Sequence, residues 1–103
     1  MIPAKQITTS DEAIERLAEC RVLIDELDRQ LLKLLNERTK VVEVIGRIKE
    51  QFSMPIYEPK REDEVYRNVL GTNHGPLPPE AVKRIFERII DEMRTLQKLR
   101  MLK

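Results

Sequence analysis

The chain has 103 residues, the size of one small domain, and its 19 Lys plus Arg against 18 Asp plus Glu leave a net charge of +1. At 41% hydrophobic and 36% charged it is too apolar for a disordered chain and carries no global field that would draw it to nucleic acid or an anionic membrane. A single Cys20 and a single His74 exclude an internal disulfide and leave little from which to build a zinc site, so no metal is expected. No apolar run approaches the roughly 20 residues of a membrane span and the N-terminus lacks a signal-peptide core, which reads as a cytoplasmic protein with no membrane partner.

From Ala4 to Ile45 there is neither Gly nor Pro, and the apolar pattern continues past Gly46. The natural reading is one very long helix, from a cap at Ser10 with Asp11 and Glu12 in its first turn to Phe52, just ahead of Pro55. Residues 1–10 read as a flexible tail. Such a helix would be about 64 Å long at about 1.5 Å per residue, whereas a compact chain of about 100 residues has a radius of gyration of only about 13 Å. A partner chain is needed to cover it.

Pro59 suits a first helical position and opens a short second helix, which carries Glu62, Val65 and Val69 at helical spacing and runs to Leu70. Gly71, Asn73, Gly75, Pro76, Pro78 and Pro79 make a turn-rich connector, in which His74 is an ordinary loop residue. A third helix follows from Glu80 to about Leu102, with Val82, Ile85, Phe86, Ile89, Ile90, Met93 and Leu96 on its apolar face. No segment alternates with period two, so the fold class is all-α, three helices in a single domain spanning 1–103.

Alternating steps of three and four along the first helix give Ile14, Leu17, Arg21, Ile24, Asp28, Leu31, Leu35, Arg38, Val42, Ile45, Lys49 and Phe52, the spacing of a coiled-coil seam. The adjacent series Cys20, Leu27, Leu34, Val41 and Ile48 is apolar throughout, which predicts a buried face with Cys20 as a small core residue. Arg21, Asp28, Arg38 and Lys49 stand where a plain core helix would carry Leu or Ile. Each alone has an ordinary reading, as a register-setting polar residue or a long side chain reaching water. Three cations on one seam are different, because an unpaired buried charge costs several kcal/mol, and they call for an anion. Arg21 and Arg38 are too far apart on one helix to share a small ligand. An antiparallel partner helix would bring one chain's Arg21 to the other's Arg38 and Lys49. Arg61 and Glu62 on the second helix, and Gln97 on the third, are unremarkable singly and gain weight only beside the charged seam.

The run Leu17 to Asp28, then Leu31 to Arg38, Ile45 to Lys49, Pro55 to Glu62, and Ile89 to Glu92 leading to Gln97, resembles the all-helical, type II chorismate mutases. The resemblance covers about Ala13 to Gln97. It implies an intertwined homodimer with two active sites inside the helical bundle, chorismate as substrate and no cofactor. Arg21 would cross into the partner's site, while Arg38, Arg61 and Lys49 come from the same chain. Guanidinium groups suit the two substrate carboxylates because their planar fork binds them bidentately. Glu62 would accept from the ring hydroxyl, helped by the backbone near Glu58. Lys49 and Gln97 would donate to the ether oxygen. Met93 is a departure, since the family often has a small hydroxyl residue there that touches substrate.

The resemblance thus implies the rearrangement of chorismate to prephenate, with conformer restriction and charge stabilisation as the sources of rate. Related activities on the same fold are an isochorismate-pyruvate lyase and an aminodeoxychorismate mutase. A non-catalytic helical dimerisation or regulatory module, docking on another shikimate-pathway enzyme such as a synthase, is the competing class. The joint presence of Arg38, Lys49, Arg61 and Gln97 discriminates against it.

Overall fold

The computed structural model describes residues 8–101 as three helices, α1 over Ser10–Gln51, α2 over Pro59–Thr72 and α3 over Pro79–Met101. The all-α class and the long first helix agree with the spacing of the sequence. By its internal contacts the chain divides into two compact units, with the boundary between Arg38 and Thr39.

Within the first unit the described residues form the N-terminal stretch of α1. Its start is fixed by a threonine rather than by Ser10. The Glu12 amide donates to Thr9 Oγ1 at 3.1 Å, while the Glu12 carboxylate accepts from the Thr8 amide at 3.1 Å and the Thr8 hydroxyl at 3.2 Å. Thr9 thus caps the helix, Glu12 reaches back to Thr8 rather than to the Thr9 amide of a full capping box, and Ser10 is the first helical residue. Thr8 to Ser10 therefore belong to the cap and not to a tail, and residues 1–7 of the expected tail lie outside the described residues. Cys20 is exposed, and Leu27 and Leu34 are 57% and 61% exposed. One chain alone leaves this stretch of the expected buried face open, as it would a face that a partner chain is needed to cover.

In the second unit α1 ends in a Schellman motif. Ser53 takes a left-handed φ of 53°, the Met54 amide donates to the Lys49 carbonyl at 2.7 Å, and the Ser53 amide donates to the Glu50 carbonyl at 3.3 Å. The helix therefore stops at Gln51, well before Pro55 could end it. A left-handed residue with a Cβ costs roughly 1 to 2 kcal/mol, part of which a glycine returns as chain entropy. Ser53→Gly is expected to stabilise the protein by up to about 1 kcal/mol, read as a raised urea midpoint at unchanged slope.

The turn sends the chain back across the end of α1, and Pro59 then opens α2 at its first position. Glu58 precedes that helix but makes no side-chain cap bond. The connector to α3 is held by Asn73, whose amide donates to the Leu77 carbonyl at 2.9 Å and whose Oδ1 accepts from the Gly75 amide at 3.1 Å. Gly75 has φ 77°, which glycine adopts without strain.

Among the described residues the buried apolar ones are Val82, Ile90 and Met93 of α3, with Val65, Tyr66 and Val69 of α2 half-buried beside them. Val41 and Ile48, on the α1 stretch of this unit, remain 60% and 47% exposed. Among the described residues no helix is long and apolar enough to cross a membrane.

Candidate active site

Thr39, Val42, Gly46 and Lys49 recur at three- and four-residue steps and so share one face of the last turns of α1. Helix α3 lays Met93 and Gln97, four residues apart, against that face. The Thr39 hydroxyl meets Met93 Sδ at 3.5 Å, and Gln97 Nε2 donates to the Val42 carbonyl at 3.2 Å. Gln97 passes close to Gly46, where a Cβ would lie 3.5 Å from Gln97 Cγ, an ordinary contact that an alanine could make. The Gln97 amide is thus seated one turn before Lys49. A cleft of about 480 Å³ opens along the same two helices, lined by Val42, Gly46, Arg47, Leu96, Gln97 and Arg100 among others.

Lys49 and Gln97 are the buried polar side chains of the described chain, at 8% and 9% exposure. Lys49 Nζ donates to the Ile56 carbonyl at 3.0 Å and pairs with Glu58 Oε1 at 2.7 Å. The turn after α1 creates both contacts, because it carries residues 54–58 back over the lysine. Glu58 offsets the cost of burying the ammonium, and its engagement there explains why it does not cap α2. Of the three donors of an ammonium, two are used and one remains. The anion that sequence reasoning sought for this cation is met in part by a loop carboxylate outside the seam.

Glu62, half-buried in the first turn of α2, forms an ion pair through Oε2 with Arg94 Nη2 of α3. Arg94 also lies over the Tyr57 ring, its Cζ 4.9 Å from the centroid, and its Nη1 is 3.7 Å from Asp91 Oδ1. Behind this group the Tyr66 hydroxyl titrates above its ordinary pKa of 10.0, first because it is desolvated and then because Glu87, Glu62 and Asp91 repel the phenolate.

Arg61 is exposed, and its nearest carboxylate is Glu64 at 3.9 Å, a surface contact of little energetic weight. Arg21 is exposed and Arg38 half-buried, both in the first unit. In the second unit the fold brings Lys49 to Glu58, Gln97 to the turn preceding Lys49, and Met93 to Thr39. Sequence reasoning missed Thr39, which supplies a hydroxyl beside Met93, and Arg94. The signal for Arg94 was its place in the series Ile90, Met93, Arg94, Gln97, where a charge falls on an apolar stripe.

The family model described as chorismate mutase type II matches residues 20–98. The chain belongs to this family. It is 38% identical over 87 residues to the chorismate mutase of Methanocaldococcus jannaschii, covering 82% of this chain and 87% of that protein. It is 39% identical over 89 residues to the bifunctional chorismate mutase/prephenate dehydratase of Aquifex aeolicus, which is 82% of this chain but 25% of that protein. The chain thus spans about a quarter of the length of that bifunctional relative. The Thermus thermophilus chorismate mutase structure (form II) superposes with a TM-score of 0.79 at 34% identity, over 81% of this chain and 94% of the other.

Proposed function

We propose that the chain is a cytoplasmic chorismate mutase, active as an intertwined homodimer, which converts chorismate to prephenate. The observation that carries this reading is the pair of buried donors, Lys49 on α1 and Gln97 of α3 seated against α1 one turn before it. The rearrangement breaks a C–O bond and makes a C–C bond within one molecule, so it requires no nucleophile and no proton transfer. Its demand is for donors already aimed at the ether oxygen where negative charge develops. The unused Lys49 proton and the second Gln97 amide proton supply two. Arg38, Arg61 and the partner subunit's Arg21 hold the substrate carboxylates, while Glu62 accepts from the ring hydroxyl and the main chain near Glu58 assists. Met93 meets the substrate, with the Thr39 hydroxyl beside it in place of the family's small hydroxyl residue.

The dimer is supported by what one chain leaves uncovered. Leu27, Leu31, Leu34, Val41 and Ile48 are each 47% to 61% exposed, and burying such side chains contributes on the order of 1 kcal/mol apiece. Sedimentation at micromolar concentration is expected to give a dimer, and a folded helical monomer would contradict this. Shared sites follow from a crossing Arg21. Mixing inactive Arg21→Ala chains with inactive Lys49→Ala chains is expected to restore activity, because one site of the heterodimer then holds both native groups. No recovery after demonstrated subunit exchange would contradict the crossing.

A further inference from the structure

We infer that Arg94 selects the ring substituent the site accepts, favouring a neutral hydroxyl over an ammonium at the carbon facing Glu62. The inference rests on the proposed reading of the site, and it divides chorismate from its ring-amino analogue. A carboxylate alone welcomes both groups, since each donates hydrogen bonds and the ammonium adds an attractive charge. Glu62 is not alone. Its Oε2 is held by Arg94 Nη2, and Oε1 makes no hydrogen bond among the described residues. One acceptor is therefore left for a hydroxyl, while the guanidinium that holds the other oxygen opposes a second cation.

The guanidinium is fixed where it has this effect. Arg94 stacks on Tyr57, and its side chain is 25% exposed against 19% for Glu62, so the pair is shielded more than a surface pair. Asp91 also approaches Arg94, at 3.7 Å, but its side chain is 60% exposed, and water screens most of its charge. The nearby Tyr66 stays neutral at physiological pH and adds no charge. Arg94 donates to Glu62 rather than to the reacting atoms, which makes it a positioning and specificity residue.

The test compares the native protein with Arg94→Met, which keeps much of the bulk and removes the charge. Turnover constants are measured on chorismate, together with the inhibition constant of the ring-amino analogue, 4-amino-4-deoxychorismate. The native protein is expected to bind the analogue far more weakly than chorismate. Arg94→Met is expected to shift the ratio of the two affinities toward the analogue by about tenfold, the scale of one partly screened charge. Arg94→Lys, which keeps the charge, is expected to restore most of the discrimination. A merely structural arginine would weaken both ligands alike and leave the ratio unchanged, and that result would overturn the inference while leaving the proposed function standing. Absence of chorismate turnover by the native protein would overturn both. If Arg94→Met does not fold, Arg94→Gln keeps a donor to Glu62 without the charge and carries the same expectation. Loss of the fold in both variants would mark Arg94 as structural and overturn the inference.

Discussion

Lys49→Ala is expected to lower turnover of chorismate by about 10² to 10³-fold, the usual cost of removing one preplaced donor from a developing oxyanion. The substitution removes the charged donor but leaves the fold with little to lose. Glu58, its carboxylate partner, is 47% exposed and rehydrates once the ammonium is gone. The Ile56 carbonyl loses a donor at 3.0 Å, a cost of about 1 kcal/mol. Most of the damage is therefore expected in turnover, with a modest fall in the urea midpoint. Lys49→Arg is expected to recover only part of the activity, because a planar guanidinium cannot make the contacts of a compact ammonium to Ile56 and Glu58 while also reaching substrate. A smaller loss of turnover from Lys49→Ala than from Arg61→Ala would remove the ether-oxygen role from the lysine.

The second large effect is expected of Gln97→Glu. The native amide donates to the Val42 carbonyl at 3.2 Å and keeps a further N–H for substrate at every pH. An ionised glutamate has no donor. It would face the Val42 carbonyl with like partial charge and repel the charge growing on the ether oxygen. Only the protonated acid donates, so the variant is expected to be poor near neutral pH and to recover as pH falls. Burial and the Val42 carbonyl favour the protonated form, while Lys49, one turn away, favours the ionised one. The direction of the profile does not depend on which prevails. The native protein has no titrating base in its mechanism and is expected to vary much less over the same range. A Gln97→Glu profile as flat as the native one, read from turnover against pH, would show that Gln97 does not touch the reacting oxygen.

The helices were legible in the sequence because each has a strong local signal. The long stretch without Gly or Pro, Pro59 at the head of α2 and the apolar stripe of α3 all speak within a few residues. The ends were less so. Thr9 and Ser10 are both good caps, and the bond from the Glu12 amide to Thr9 Oγ1 decides between them. The Schellman turn at Ser53 was hidden because a left-handed residue is normally announced by glycine. Lys49 stood out as a charge on the apolar seam, Gln97 gained weight only beside that seam, and both are buried. The partners of the site residues were not legible. Glu58 reaches Lys49 only through the turn that follows α1, and Arg94 reaches Glu62 only through the packing of α3 on α2. The face of Cys20, Leu27 and Leu34 is exposed in the single chain; its period marks a surface to be buried, and only the length of the helix pointed to a partner chain as its cover.

Incubating the purified protein with chorismate, following the loss of its ultraviolet absorbance and identifying the product, decides whether the chain carries out the rearrangement. Catalysed loss of absorbance is expected, with prephenate as the product and no release of pyruvate. An unchanged absorbance with correctly folded dimer would contradict this, as would pyruvate appearing in step with the loss.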